Sequence, residues 1–119
     1  MNNNGFNKIV LACSGASNTG AYSDKISRKL MKEGKAKMLC LARFAVDEKF
    51  VEQTKKEITN YDEMIVIDGC PINCAEKIID KLNIDDYKHI NVTDYGIEKG
   101  KTPVTEEKVK EISENIIGN

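Results

Sequence analysis

The sequence predicts an α/β fold: one three-layer domain in which a four-stranded parallel sheet carries helices on both faces, in the order βαβαβαβα. Three observations lead there. Short, continuously apolar runs such as Ile9–Cys13 and Met64–Ile67 read as strands buried on both sides. Between them lie stretches with apolar residues at helical spacing, as in Tyr22, Ile26 and Leu30. A chain of 119 residues with 40% apolar and 31% charged composition is the size and make-up of one domain with its own core.

Taken in order, Lys8–Ala12 is the first predicted strand and Ser14–Gly20 a loop, followed by a helix that stops at Gly34. Ala36–Leu41 is the second strand. Phe50, Val51, Thr54 and Ile58 mark a second helix with Asp47 as its cap. Met64–Ile67 is the third strand, and Cys74, Ile78 and Leu82 share one stripe of the third helix. Lys88–Thr93 is the fourth strand. After a polar stretch over Asp94–Thr102, a last helix uses Val109, Ile112 and Ile116, with Thr105 as N-cap and Val104 and Val109 as a hydrophobic staple. Residues 1–7 and the final two are expected to fray, leaving one domain over residues 8–117.

Right-handed crossovers restrict the topology, and 2-1-3-4 is the expected strand order. In such sheets ligands bind outside the carboxyl ends of the strands, where the winding direction switches. For this order the switch falls between strands one and three.

Composition removes several function classes. A formal net charge of −1 offers nothing to a phosphate backbone, so no nucleic-acid partner is expected. The apolar runs are too short to span a bilayer, and the start, MNNNGFNK, lacks the basic region of a secretory signal. A cytosolic location is therefore expected, and there four cysteines point to metal or reactive-thiol chemistry before disulfides.

The cysteines gather where the topology puts ligands. Cys13 closes the first strand, Cys70 follows the third by two residues, and Cys74 comes one helical turn later. Neighbouring strands stand about 4.8 Å apart, a spacing compatible with sulfurs about 3.8 Å from one another around a tetrahedral zinc ion. Pro71 fits the first helical position, which would put Cys70 at the N-cap and Cys74 in the first turn. Positive helix ends lower thiol pKa values, and Cys13, before another helix, is expected to gain similarly. Cys40 has two readings: a fourth sulfur if its strand ends there, a small core residue if the strand continues. Asp68 either orients a ligand or bonds locally within its turn. Ser14 and Gly15, with Ser17 and Asn18, either hold a bound anion or satisfy the loop backbone. His89, at the far edge, is expected to lie outside the site.

CSGASNTG after the first strand, Cys40 after the second and IVIDGCPINCAEK after the third together resemble the DGC-domain family of zinc-binding proteins. The family takes its name from the tripeptide seen here as Asp68-Gly69-Cys70. The resemblance runs from about Lys8 to Ile116, and all four cysteines fall at the family's chelating positions. It implies Cys13, Cys40, Cys70 and Cys74 as metal ligands and says little about the use of the metal.

The leading functional expectation is thus one Zn²⁺ in a Cys₄ site. A closed thiolate shell suits a structural or metal-handling role, because catalytic zinc keeps an open position. One alternative is a thiol redox or sulfur-transfer enzyme, with Cys13 as nucleophile and Cys70 or Cys74 resolving. Another is an iron–sulfur cluster on the same sulfurs. A phosphatase-like loop is not expected, since Thr19 stands where that signature needs an arginine.

Overall fold

Alternate residues of a strand point to opposite faces of its sheet, and in this protein both sets are apolar. A computed structural model describes residues 7–15 and 17–117. In β1 (Lys8–Ala12) and β3 (Glu63–Asp68), Val10, Ala12, Ile65 and Ile67 enter one core layer, while Ile9, Leu11, Met64 and Val66 enter the other. With β2 (Lys37–Met38) and β4 (Lys88–Asn91) they form an all-parallel sheet in the order β2-β1-β3-β4. The predicted fold class and strand order are both found.

Two helices cover the first face. α1 (Asn18–Lys32) brings Tyr22, Ile26 and Leu30, four residues apart as expected, and α5 (Glu106–Ile117) brings Val109, Ile112 and Ile116. The buried Tyr22 hydroxyl donates to Pro103 O at 2.6 Å and accepts from Thr105 N at 3.2 Å, fixing the entry to α5. Thr105 caps α5, with Lys108 N donating to Thr105 Oγ1 at 3.2 Å, and Val104 packs into the same core layer as Val109. The second face is covered by α2 (Leu41–Val46), α3 (Glu48–Glu57) and α4 (Cys74–Lys81), through Phe44, Val51, Ala75 and Ile79. Asp47 caps α3 as predicted, accepting from Phe50 N at 3.1 Å. No helix among the described residues is long and apolar enough to cross a membrane.

Several boundaries differ from the sequence reading, each for a local reason. α1 begins at Asn18 rather than after Gly20, because Ser17 already acts as its N-cap and accepts from Gly20 N. The second strand shrinks to Lys37–Met38. Leu39 N still bonds to Val10 O at 3.0 Å, but the chain then leaves the sheet at Cys40 and enters α2, a helix the periodicity did not reveal. β4 stops at Asn91, whose side chain accepts from Thr93 N and starts a 3₁₀ turn over Val92–Tyr95. The fraying expected at the two termini falls, apart from Asn7, outside the described residues.

Backbone contact at two glycines brings the carboxyl ends of β1 and β3 together. A Cβ on Gly20 would stand 2.7 Å from Gly15 N, and one on Gly69 would stand 2.7 Å from Thr19 O. The loop after β1, the first turn of α1 and the turn after β3 therefore stack with no room for side chains. Gly69→Ala should lower stability by about 1–3 kcal/mol in urea unfolding, as overpacking against rigid backbone does. Gly15→Ala, which meets nothing within 4 Å, serves as control and should leave the midpoint nearly unchanged.

Candidate functional site

The turn after β3 decides where the thiols point. Cys70 O accepts from Asn73 N at 3.1 Å, so Cys70-Pro71-Ile72-Asn73 closes as a β-turn with proline at its second position. Asn73 then takes a left-handed conformation, φ 57°, and is the N-cap of α4, with Cys74 as the first helical residue. The expectation that Cys70 is the N-cap is therefore corrected: Pro71 serves the turn and the helix starts later. Cys74 does lie in the first helical turn, as predicted.

Asn73 gives α4 no side-chain cap. That role passes to Asp68 at the end of β3. Its carboxylate, 1% exposed, accepts from Ala75 N at 2.8 Å and from Glu76 N at 3.0 Å. His89 Nε2 stands 2.9 Å from Asp68 Oδ2, and His89 Nδ1 is 3.6 Å from Glu76 Oε2. The register makes this pairing possible: His89 lies opposite Val66 and Asn91 opposite Asp68, so His89 and Asp68 share a face. The structure gives Asp68 hydrogen bonds that reach α4 and β4 rather than its own turn. It also places that negative charge beside Cys13.

The Cys13 thiol is half-buried, and its own N–H bonds to Ile67 O at 2.9 Å. Burial pushes its pKa up, and the charges of Asp68, Cys74 and Cys70 push it further; only the Gly69 backbone N–H pulls the other way. The expectation that a helix end lowers this thiol is overturned, chiefly by burial and then by Asp68, Cys74 and Cys70 nearby. Cys13 follows β1, Cys70 lies in the turn after the neighbouring β3 and Cys74 opens α4, so the three stand at the carboxyl-end rim of the sheet.

Cys40 stands apart from this trio in character. It is exposed at the N-cap of α2, a helix anchored by the buried Phe44, whose ring meets Phe50 edge-on at 5.1 Å. Cys40 and Ser14 both line a cavity of about 520 Å³ bordered by Met31, Met38 and Ile78. The strand does end before Cys40, which removes the core-residue reading. Among the described residues, no group of three or more His, Cys, Asp or Glu stands close enough to hold a metal ion. The donor chemistry suits zinc; the sulfurs do not form a ready-made shell.

The loop residues divide by task. Ser14 and Gly15 are exposed, whereas Ser17 caps α1 and lies 3.0 Å from Thr19 Oγ1. Asn18 donates to Glu98 O and Thr102 O and accepts from Gly100 N, clamping the 98–102 turn over the rim. That clamp carries a residue the sequence reading missed: Lys99 Nζ lies 4.0 Å from Cys70 Sγ. Asn91, also missed, donates to Cys70 O at 2.9 Å and to Asn73 Oδ1 at 2.7 Å, holding the cysteine turn against β4. Its place at the carboxyl end of the neighbouring strand was the available signal.

Removing the Asp68 carboxylate leaves two helix donors and a histidine without their acceptor. Asp68→Ala should cost roughly 2–3 kcal/mol in urea unfolding of the metal-free protein. Asp68→Asn, which keeps one acceptor, should lose clearly less; equal losses would show that the cap is not what the carboxylate contributes.

No solved structure matches the chain significantly. A curated relative, "Anaerobic and virulence modulator AnvM" of Pseudomonas aeruginosa, is 24% identical over 91 residues, covering 76% of this chain and 67% of the relative. The sequence profile of the DGC domain matches residues 9–116, almost the whole described fold. With the Asp68-Gly69-Cys70 turn at the centre of its rim, this chain belongs to the DGC-domain family.

Proposed function

We propose that the protein binds one zinc ion through Cys13, Cys40, Cys70 and Cys74 in a structural or metal-handling role. One observation supports this above the others: Cys13, Cys70 and Cys74 come from segments that meet at the carboxyl ends of β1 and β3, where burial and then Asp68, Cys74 and Cys70 make Cys13 harder to ionise. A divalent cation at that rim reverses the sign of the local field and turns mutual repulsion into shared attraction. Cys40 and Cys74 are exposed, so their side chains have room to turn toward Cys13 and Cys70. A reducing compartment such as the cytosol keeps all four sulfurs available.

The residues divide the work. The Gly69 N–H supports a Cys13 thiolate, Asn91 and Asn73 fix the Cys70 turn, and Asp68 holds the start of α4 that carries Cys74. Zinc would supply electrostatic cross-linking between β1, the β3 turn and α2. The sheet has apolar layers on both faces independent of the rim, so the protein should remain folded without metal.

Elemental analysis should find about one zinc per chain. Cys70→Ser should lower that content at least severalfold while far-UV circular dichroism stays close to the parent. Unchanged stoichiometry would remove Cys70 from the ligand set, and loss of the helical signal on chelation would contradict an independent core.

A second reading, thiol redox or sulfur transfer, has one observation in its favour. Lys99 Nζ beside Cys70 is the kind of neighbour that stabilises a thiolate. The reactive thiol would then be Cys70 rather than Cys13, whose pKa is raised. In the metal-free protein at pH 8, iodoacetamide should modify Cys70 before Cys13, and Lys99→Ala should narrow the gap. Faster labelling of Cys13 would sink this reading.

A further inference from the structure

The early departure of the chain from the sheet leaves space beside the rim. β2 ends at Met38 and α2 starts outward from Cys40, so Asp24, Arg28 and Met31 of α1 face a cavity of about 520 Å³. Met38, Leu41 and Ile78 add apolar walls from three other elements. The volume falls within the range of small-molecule sites, roughly 300–1,000 Å³. The cavity also lies outside the carboxyl ends of β1 and β2, where parallel sheets take their ligands.

Two independent features define what would fit. The first is exposed apolar surface. Met31 is 41% exposed, and it is one of three large apolar residues so exposed among the described residues. The other two, Val46 and Ile72, do not line this cavity. Apolar surface on a concave wall is covered favourably by an apolar body.

The second feature is charge. Arg28 donates to Asp24 Oδ2 through Nε at 2.8 Å, and its terminal nitrogens make no hydrogen bond among the described residues. A guanidinium in that state still offers donors that fit a carboxylate. The Arg28–Asp24 pair is itself neutral, so its neighbours set the sign. Lys25 and Lys32, one turn before and one turn after Arg28, are exposed and enter no salt bridge among the described residues. Apart from Asp24, no acidic residue among the described residues lines the cavity. Its mouth therefore attracts an anion and repels an amine.

We propose that this cavity binds a medium-chain aliphatic carboxylate. The carboxylate meets the terminal nitrogens of Arg28 within the field of Lys25 and Lys32, and the alkyl chain lies against Met31, Met38, Leu41 and Ile78. Cys40 and Ser14 border the cavity, yet the ligand needs neither a thiolate nor zinc. The site therefore stands whether or not the rim holds metal.

The test is a titration of the ¹⁵N-labelled full chain with sodium octanoate, followed by amide shifts, with n-octylamine and acetate as controls. Saturable shifts at residues 24–31 and 38–42 are expected with octanoate. Hexanoate should bind about tenfold more weakly, as loss of two buried methylenes does. n-Octylamine should bind at least about fivefold more weakly, because attraction to exposed charges becomes repulsion. Arg28→Gln should weaken octanoate binding about twofold to fivefold, as loss of one exposed charge contact does. Met31→Gln, at an exposed position, should weaken it about threefold while far-UV circular dichroism stays close to the parent. The proposal is overturned by unsaturable shifts, by n-octylamine or acetate binding as tightly as octanoate, or by undiminished binding to Arg28→Gln. Concentration-dependent shifts of the same amides without ligand would give the patch to a second copy and overturn it as well.

Discussion

Asp68 is 1% exposed, yet it accepts from two backbone N–H groups of α4 and pairs with His89. A carboxylate in such a place is tolerable only because these donors replace the water it has lost. In return, β3, α4 and β4 are tied at one point. The same carboxylate adds to burial in pushing the Cys13 thiol's pKa up. Structural support for α4 and the electrostatic environment of Cys13 thus share the same two oxygens.

Glycine gives that arrangement its compactness. Gly20 and Gly69 let three backbone segments pass at distances that no side chain permits, and the stacked segments are those that carry Cys13 and Cys70. Ser23 adds a buried link, its hydroxyl donating to Ile67 O at 3.0 Å, so α1 is pinned to β3 just below the turn. Sulfurs far apart in sequence are brought to one edge by backbone contact, without a disulfide or a long loop.

Much of this could be read in the chain itself. Continuous apolar strands, the fourfold spacing of Tyr22, Ile26 and Leu30, and the caps at Asp47 and Thr105 are local patterns with local causes, and they appear as expected. The errors arose where one residue suits two structures. Pro71 fits a first helical position and the second position of a turn, and the left-handed Asn73 decided for the turn. Leu39 and Leu41 look like strand, but they pack against the second core layer from a bend and a short helix. The partners of Asp68 at positions 75, 76 and 89, and the approach of Lys99 to Cys70, depend on register and tertiary contact, which spacing along the chain does not encode.

The brevity of β2 has a further result. Only Lys37 and Met38 pair with β1 before the chain peels outward into α2. A foreign strand seeking an unpaired ladder would find two residues to zip onto, too few to hold it. Thiols near that border therefore lie beside an edge too short for copies to stack on.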